Sequence, residues 1–369
     1  MKSCYLISAA CCMLLSLTLS AQDSLRIPPL RIGIVGLSHS HVHGLLGRLD
    51  DGDIEIVGIS EGDEALAQRL MKQYNLSPSL WYASMDEMLS RTQPTAVAAF
   101  NSIYEHREVV RACAPKGIHV MVEKPLAVSL EHAEEMARLA EIYGIYLLTN
   151  YETTWYATHY KAYEMLNHEK LIGPLRKVVV HDGHQGPQEI GVNAEFLDWL
   201  TDPNLNGGGA LMDFGCYGAN LVTWLSKGQV PQSVFAITQQ IKPAKYPKVD
   251  DEATIVVTYP KMQAIIQASW NWPYSRKDME IYGKDGYIIV ENRNKMRLRI
   301  SEEFSEAYYE LPEMKAPFHD PFSYFASVIQ GKTEVQAYDL SALPNNVISM
   351  QILEAAKESA RTGRRVYFD

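Results

Sequence analysis

Short apolar runs alternate with helix-like patterns through the first part of the chain. Runs rich in β-branched residues, such as "RIGIVG", "IEIVGIS", "AVAAFNS", "HVMVEKP" and "IYLLTN", are separated by stretches such as "DEALAQRLMKQYN" and "SLEHAEEMARLAEIYG". Strand, helix and strand repeated at this spacing predict a parallel, doubly wound sheet of the α/β class. Ser129 is a suitable N-cap for the helix "LEHAEEMARLAEIYG" that follows it.

The pattern changes after Asn150. A helix near "ATHYKAYEMLNHEK" is followed by strand-like runs that include "LRKVVVHDG", "SVFAITQQI", "EATIVVTYP", "MQAIIQASWNW" and "DMEIYGKDGYIIVEN". Consecutive strands with few helices predict a largely antiparallel sheet in an α+β domain. The final stretch "NNVISMQILEAAKESARTG" predicts an amphipathic helix that stops at its glycine. We therefore predict an α/β domain over residues 22–150 and an α+β domain over residues 151–369.

The first 21 residues, "MKSCYLISAACCMLLSLTLSA", carry Lys2, then an apolar run, then small residues. This pattern predicts a Sec-type signal peptide over residues 1–21, and hence a periplasmic or extracellular protein. A lipoprotein signal that ends at Cys11 or Cys12 is the weaker alternative, because its apolar segment would be very short. Cys113 and Cys216 lie outside the signal and form no disulfide framework, so we expect two buried thiols.

Composition and charge exclude several classes of partner. The chain has 369 residues, of which 47% are hydrophobic and 21% charged, as in an ordinary globular protein. Its formal net charge of -10, without a basic block, predicts that it repels nucleic acids and anionic lipid surfaces. No apolar run after the signal approaches the roughly 18 residues needed to span a bilayer.

The loop after the first predicted strand has an unusual composition. The run "GLSHSHVHG" keeps a glycine at position 36, but Ser38 and His41 stand at the second and third glycine positions of a nucleotide-binding turn. Glycines there permit a tight bend and let backbone N–H groups approach a pyrophosphate. Glu61 closes the second strand where an acid would bind ribose hydroxyls, although a solvated loop acid explains it equally well. Taken alone, the loop is a weak dinucleotide-binding fingerprint.

A more specific signal is "VEKPLA" at the end of a later strand. Together with "FNSIYEHREVVRACAPKGIHV", "LIGPLRKVVV", "NGGGALMDFGCYGANLVTWL" and "ESARTGRRV", it resembles the Gfo/Idh/MocA family of sugar and polyol oxidoreductases over nearly the whole mature chain. The resemblance implies a Rossmann-type doubly wound parallel sheet followed by a domain with a largely antiparallel open sheet, and an NAD or NADP cofactor. We also expect a small-molecule carbohydrate substrate and a homo-oligomer formed through the second-domain sheet.

The resemblance implies catalytic roles for Lys124, Asp213 and Tyr217. It sets Lys124 beside the nicotinamide ring and the reacting hydroxyl, where burial would lower the pKa of the lysine and allow proton exchange with an alcohol. Asp213 matches the family's catalytic acidic position, and Tyr217 stands where many members have histidine. At a spacing of i, i+4 the two would share one helical face. A phenol serves as acid or base only beside a cation such as Lys124, because its ordinary pKa is about 10. The alternatives are a surface lysine and a packing tyrosine.

The same motifs indicate which residues contact cofactor and substrate. The predicted cofactor contacts are Gly36, Ser38, His39, Glu61, Asn101, His106, Glu123 and Lys124. The predicted substrate contacts are Trp155, His159, His184, Trp272 and Arg276. Sugars bind through aromatic faces and polar rims, and these residues cluster in "TTWYATHY", "DGHQGP" and "ASWNWPYSRKD". Structural packing explains any single tryptophan equally well.

The histidines of "HSHVH" raise the question of a metal. His39 and His43 are spaced i, i+4 and could share an ion if helical, and all three histidines share a side if extended. The loop itself contains no carboxylate, so we expect no metal and instead hydrogen bonds from these histidines to phosphate or substrate.

We therefore expect an NAD(P)-dependent oxidoreductase that acts on a hydroxyl of a sugar or sugar derivative. Sec export delivers unfolded chains, so the cofactor would have to be captured after export and retained. One alternative is redox-neutral glycoside cleavage, in which transient oxidation of a hydroxyl acidifies the neighbouring C–H. Another is a metal-assisted lyase or hydrolase, or a carbohydrate-binding protein, that uses the same scaffold without nucleotide.

Overall fold

The computed structural model describes residues 28–48 and 52–368. The predicted signal peptide, with Cys4, Cys11 and Cys12, lies outside the described residues. Within the described residues, no helix is long and apolar enough to cross a membrane. Cys113 and Cys216 are buried free thiols, which confirms the expectation for this pair.

Six parallel strands form the first sheet in the described part of the chain, in the order β3-β2-β1-β4-β5-β6. They are β1 (Leu30–Val35), β2 (Ile54–Ser60), β3 (Trp81–Tyr82), β4 (Ala96–Ala99), β5 (His119–Glu123) and β6 (Leu147–Asn150). This order is that of a Rossmann fold, whose ligands bind at the carboxyl ends of the strands. The predicted α/β fold class is confirmed.

The helices of this half are α1 (Val42–Leu46), α2 (Glu64–Gln73), α3 (Met85–Thr92), α4 (His106–Cys113) and α5 (Leu130–Tyr143). The hydroxyl of Ser129 accepts a hydrogen bond from the backbone N–H of His132 and caps α5, as the sequence predicts. Gly144 ends the same helix with a φ of 64°, a conformation that favours glycine.

The second sheet has nine strands in the described residues, in the order β14-β13-β12-β11-β7-β10-β9-β8-β15. They are β7 (Leu175–Gly183), β8 (Ser233–Gln239), β9 (Glu252–Thr258), β10 (Gln263–Ser269), β11 (Arg276–Gly283), β12 (Tyr287–Val290), β13 (Lys295–Arg299), β14 (Ala307–Glu310) and β15 (Val366–Tyr367). Neighbouring strands run antiparallel except β7 and β10, so the predicted largely antiparallel sheet is confirmed. Alternate residues of β9 and β10 are buried, which turns one face of the sheet toward the helices.

The remaining helices are α6 (Ala157–Tyr163), α7 (Ala194–Leu200), α8 (Pro203–Asn206), α9 (Ala210–Asp213), α10 (Gly215–Leu225), α11 (Pro321–Ile329) and α12 (Leu343–Thr362). Every residue of α10 is buried, because this helix lies between the second sheet and α12. A Cβ at Gly218 would overlap Ile266, so glycine there lets α10 approach the sheet. The predicted C-terminal helix is confirmed, and Gly363 ends it.

Helix α11 returns to the first half of the molecule although it follows the second sheet in sequence. Phe322 and Phe325 pack in one apolar cluster with Ile32 and Ile34 of β1. The core of the Rossmann half is therefore completed by residues that lie about 290 positions later in the chain. The carboxyl ends of β1 and β5 face α7, α9 and α10, and the candidate site lies between them.

Candidate active site

Lys124 and Asp213 form a buried ion pair where the two halves meet. Lys124 directly follows β5, and its Nζ donates to Oδ1 of Asp213 at 2.5 Å and to the Asp213 carbonyl at 3.1 Å. The other carboxylate oxygen of Asp213 accepts from Nε1 of Trp270 at 3.0 Å. Each side chain is 7% exposed. The peptide between Lys124 and Pro125 is cis.

The ion pair keeps both groups charged. Burial would lower the pKa of Lys124, but the adjacent Asp213 carboxylate overcomes this effect and raises it. Burial likewise opposes ionisation of Asp213, yet Lys124 holds the pKa of that carboxyl below its usual value. The expectation of a lowered lysine pKa is therefore wrong for this arrangement. Lys124 is a protonated donor at neutral pH.

Tyr217 lies above this pair as a neutral phenol. The ammonium groups of Lys124 and Lys277 stand 5.2 and 4.8 Å from the centre of its ring. Burial nevertheless raises its pKa well above the ordinary value, and nearby carboxylates add to the effect. The hydroxyl can donate a proton or a hydrogen bond, but it does not form a phenolate near neutral pH.

Asp213 and Tyr217 do not share one helix. Asp213 ends α9, Phe214 follows with a φ of −109°, and Tyr217 belongs to α10. The expectation that both side chains point into one cleft holds, although a turn at Phe214 separates the two helices. Both side chains still line the same cavity, because α10 starts immediately beyond that turn.

Two adjoining cavities open beside the ion pair. The smaller, of about 170 Å³, is lined by His39, Ser40, His41, Lys124, His184, Pro187, Ile190, Val192, Phe196, Leu200, Asp213, Phe214, Tyr217 and Lys277. The larger, of about 360 Å³, is lined by Ser40, His41, Gly44, Arg48, Asn150, Glu152, Trp155, Asp320, Pro321 and Phe322. Ser40 and His41 belong to both walls, so the histidine loop separates the two spaces.

Three ionisable groups near the ion pair were not predicted from the sequence. Lys277 of β11 contacts Glu152, the residue that follows β6 by two positions. Asp182 of β7 stands directly opposite Lys277 in the sheet. Both oxygens of Asp182 are buried without a hydrogen-bond partner among the described residues, and burial raises its pKa well above the usual value. The surroundings of Asp182 therefore favour its protonated form.

The signal for these groups was present but incomplete. Asp182 and Lys277 lie in "DGHQGP" and "YSRKD", two of the segments rich in hydrogen-bonding side chains. Only the pairing of β7 with β11 shows that they are neighbours. Nothing in the local sequence distinguishes Lys277 from an exposed strand lysine.

The first turn of the Rossmann half has the backbone of a dinucleotide site. Gly36 has a φ of +77°, and a Cβ there would lie 2.6 Å from Cβ of Asn101, so only glycine allows this close approach. The Glu61 carboxylate accepts from the backbone N–H of Leu37 at 2.8 Å. Burial raises the pKa of Glu61. These residues fit a nucleotide in the manner of such turns.

Helix α7 of the second half lies across this turn. The indole N–H of Trp199 donates to the Ser38 hydroxyl at 3.0 Å, and that hydroxyl donates to the carbonyl of Phe100 at 3.3 Å. Glu195 of α7 forms an ion pair with Arg69 of α2. The turn is thus covered by side chains in this conformation.

The loop histidines point in different directions. Nδ1 of His43 bonds the hydroxyl of Tyr74 at 2.8 Å, so His43 faces away from His39. Nδ1 of His41 lies 2.9 Å from Oε2 of Glu123, and Nε2 of His39 lies 4.0 Å from the same oxygen. The expectation of no metal depended on the missing carboxylate in the loop. Glu123, 82 positions away, supplies one.

His106 is buried next to the segment that follows Lys124. Its Nδ1 donates to the carbonyl of Leu126 at 3.1 Å, and burial lowers its pKa to about 4. It lies outside the lining of both cavities, as does Asn101, which packs against Gly36.

The five predicted substrate contacts separate into two groups. Trp155 lines the larger cavity, and His184 lines the smaller one. His159 is buried, and its ring packs at 5.2 Å from that of Tyr156. The guanidinium carbon of Arg276, the first residue of β11, lies 5.9 Å from the ring centre of Trp272, which precedes that strand. These last three residues line neither cavity.

Comparison with protein families agrees with this architecture. A family model described as "Oxidoreductase family, NAD-binding Rossmann fold" matches residues 30–151. A second, described as "GFO/IDH/MocA C-terminal domain", matches residues 160–289. Curated relatives include trans-1,2-dihydrobenzene-1,2-diol dehydrogenases from Xenopus tropicalis, 26% identical over 226 residues, and from Homo sapiens, 26% identical over 234 residues. These matches span 61% and 63% of this chain and 63% and 65% of the relatives, less than two thirds of their length.

Solved structures resemble the described fold over most of its length. One is aldose-aldose oxidoreductase from Caulobacter crescentus complexed with glycerol, with a TM-score of 0.77 and 20% identity, over 92% of this chain and 100% of that one. Another is an inositol dehydrogenase homolog complexed with NAD+ from Azotobacter vinelandii, with a TM-score of 0.79 and 18% identity, over 92% and 98%. At this identity the likeness concerns the fold.

Proposed function

The chain belongs to the Gfo/Idh/MocA family of oxidoreductases, and from that premise we propose that it is an NAD(P)-dependent oxidoreductase acting on a hydroxyl of a sugar or sugar derivative. The observation that carries the proposal is the buried Lys124–Asp213 pair, which faces a cavity at the carboxyl edge of the Rossmann sheet. That edge is where such folds bind their ligands.

Gly36, Glu61 and Lys124 would hold the nucleotide. Gly36 allows the tight first turn, and the Glu61 carboxylate already reaches this turn through Leu37. When bound, the nicotinamide group supplies the hydride acceptor or donor. All other steps fall to the side chains of this chain.

Lys124 and Asp213 handle the proton of the substrate hydroxyl. In the reductive direction the Lys124 ammonium donates a proton to the forming alkoxide, and the Asp213 carboxylate keeps that lysine protonated. In the oxidative direction Lys124 must first lose its proton. Because Asp213 raises the lysine pKa, we expect oxidation to accelerate as the pH rises above neutrality and reduction to slow. The Tyr217 hydroxyl contributes a hydrogen bond as a neutral donor.

The substrate class follows from the walls of the cavities. The smaller cavity combines ammonium, carboxylate and imidazole groups with Phe196 and Phe214, and the larger one offers Trp155 and Phe322. Aromatic faces beside polar groups suit a polyhydroxylated ring.

The test begins with nucleotide binding. Untagged protein is denatured and its supernatant analysed by ultraviolet absorbance and mass spectrometry, and NAD+ and NADP+ are titrated into the native protein. Hydride transfer is then followed at 340 nm with a panel of aldoses and polyols. Lys124→Ala is expected to remain folded, although less stable, and to keep binding nucleotide through the first turn at Gly36 and Glu61, but to lose turnover. A protein that neither carries nucleotide nor binds it at millimolar concentration would contradict the proposal, and unchanged kcat in Lys124→Ala would remove Lys124 from the mechanism.

A second candidate function is a nucleotide-free lyase or hydrolase. It is favoured by the contacts of Trp199 with Ser38 and of Glu195 with Arg69, which cover the first turn. Variants Trp199→Phe and Glu195→Gln separate the two functions. If α7 competes with a nucleotide, these variants bind NAD+ more tightly than the unmodified protein; if no nucleotide is used, neither variant binds it.

Export and association complete the proposal. Residues 1–21 have the pattern of a Sec-type signal, so we propose a periplasmic or extracellular location in which the cofactor is retained between turnovers. We also propose that copies of the chain associate through the second sheet, whose strands turn alternate, partly exposed residues away from the helices. Fractionation of cells and light scattering of the purified protein test these two points.

A further inference from the structure

His39, His41 and Glu123 bring one ligand atom each to within 4.8 Å of one another. The histidines come from the loop after β1, and Glu123 ends β5, so the parallel sheet places them side by side. Ligand atoms bound at 2.0–2.1 Å in a tetrahedral zinc site lie roughly 3.3 Å apart. The distances of 2.9 and 4.0 Å from Oε2 of Glu123 to the two imidazoles bracket this value.

We propose that these three residues bind a divalent transition-metal ion. Two imidazoles and a carboxylate form the donor set of many zinc sites and of non-haem iron sites that keep open positions for substrate. Magnesium and calcium are disfavoured, because they prefer oxygen ligands throughout. Binding of the ion is inferred from the ligand geometry alone, whereas its effect on a substrate rests on the proposed function.

The carboxylate supports the proposal through its charge and its surroundings. Glu123 is 1% exposed, its contacts are the Asn150 amide and the two imidazoles, and the neighbouring Lys124 is engaged with Asp213. Its Oε2 lies 2.9 Å from Nδ1 of His41, and its Oε1 accepts a hydrogen bond from the Asn150 amide. A buried anion is stable only when it is paired or coordinated to a metal.

A second layer of side chains orients this carboxylate. Nδ2 of Asn150 donates to Oε1 of Glu123 at 2.8 Å, and Nε1 of Trp155 donates to Oδ1 of Asn150 at 3.0 Å. These bonds turn Oε2 toward the two histidines. Metal ligands are commonly fixed by such outer hydrogen bonds.

The histidines leave room for both metal and substrate. The side chain of His41 is 33% exposed and lines both cavities, so an ion here has open positions toward them. Nδ1 of His39 accepts from the backbone N–H of His41 at 3.1 Å, so its proton resides on Nε2. Metal binding would move that proton to Nδ1, at the cost of this hydrogen bond.

An ion at this position would act on the substrate as a Lewis acid. Lys124 and Asp213 line the smaller cavity together with His39 and His41. A substrate oxygen bound to the ion would therefore lie in the space that these two proton-handling groups share. Polarisation of a hydroxyl or carbonyl oxygen stabilises the charge that develops on it.

The test measures metal content and metal affinity. Untagged protein is isolated without chelator and analysed for metals by mass spectrometry, and protein treated with EDTA is titrated with Zn²⁺ and with Co²⁺. We expect one equivalent of metal per chain and a visible absorption band for the cobalt form. Affinity should fall by more than about 100-fold in His41→Gln and in Glu123→Gln.

His43→Gln is the matched control, because His43 belongs to the same loop but faces Tyr74. It should bind Zn²⁺ as the unmodified protein does. His41→Gln keeps the test valid if Glu123→Gln fails to fold, since His41 is partly exposed. Absence of stoichiometric metal, binding that survives both substitutions, or equal loss in His43→Gln would each overturn the proposal. Binding of NAD+ by EDTA-treated protein is measured separately, so failure of the metal site and failure of the oxidoreductase function remain distinguishable.

Discussion

Removal of one member of the Lys124–Asp213 pair should destabilise the fold far more than removal of both. In Asp213→Asn the amide must present an N–H either to the Lys124 ammonium or to the indole N–H of Trp270, because both neighbours are donors. A buried ammonium is then left without its counter-charge. Breaking a buried ion pair in this way costs about 3–5 kcal/mol, and each side chain here is only 7% exposed.

The double variant Lys124→Met/Asp213→Asn removes both charges and keeps an apolar chain under Phe214 and Tyr217. We expect it to lose about 1–2 kcal/mol, so the two single losses should exceed the double loss by more than about 2 kcal/mol. Equilibrium unfolding in urea at pH 7, followed by tryptophan fluorescence and circular dichroism, measures the free energy of unfolding. The four proteins compared are the unmodified protein, Lys124→Met, Asp213→Asn and the double variant. The comparison requires similar m-values throughout.

Single losses that add within about 0.5 kcal/mol would show that the two groups act independently. A loss below about 1 kcal/mol in Asp213→Asn would show that Lys124 finds water or another anion. Either result would refute the view of a dry, mutually dependent pair. It would also remove the reason for a raised lysine pKa and for the predicted acceleration of oxidation at alkaline pH.

Three further outcomes follow from the structure. Tyr217→Phe should lower kcat only about tenfold in steady-state kinetics, because it removes one neutral hydrogen bond. A loss of kcat as deep as that of Lys124→Ala would make Tyr217 the principal acid. Burial raises the pKa of Cys113 and of Cys216 to about 12, so iodoacetamide should label neither thiol until denaturant is added. Mass spectrometry of peptides measures the labelling, and labelling of the folded protein would contradict their burial. Burial opposes ionisation of Glu189, but two lysines and a tyrosine hydroxyl lower its pKa from 4.5 to about 2, so its ionised form stabilises the fold above pH 4.5 and that contribution disappears as the pH falls toward 2. Glu189→Gln should therefore be less stable than the unmodified protein by about 1–2 kcal/mol at pH 7, less than the pKa shift alone implies because solvent screens this ion pair, and nearly equal to it near pH 2 in thermal unfolding. A constant difference would assign the effect to packing.

Local sequence patterns were sufficient for the elements that depend on local physics. The alternation of β-branched runs with amphipathic helices predicted the parallel sheet, and Ser129 and Gly363 marked helix ends that the structure contains. Lys124 and Asp213 were recognised through family motifs, and the structure brings them to 2.5 Å. Periodicity, caps and motifs are encoded over a few residues, so they can be read without knowledge of the fold.

The properties of the site were decided by contacts between distant segments. The sequence could indicate that Lys124 is buried but not that Asp213 would outweigh the effect of burial on its pKa. It could display three histidines in one loop, but not that Glu123 would face two of them while the third bonds Tyr74.

The sequence by itself determined the fold class and the order of the two domains, and it singled out Lys124 and Asp213 as candidate proton-handling residues. Tertiary structure alone decided the protonation of those residues, the pairing of Asp182 with Lys277, the position of α7 over the first turn and the convergence of a carboxylate on the histidine loop. The physical reason is that Coulomb energies and desolvation depend on distances of a few ångströms and on burial. Residues separated by 80 positions or more acquire such distances only when the sheets assemble.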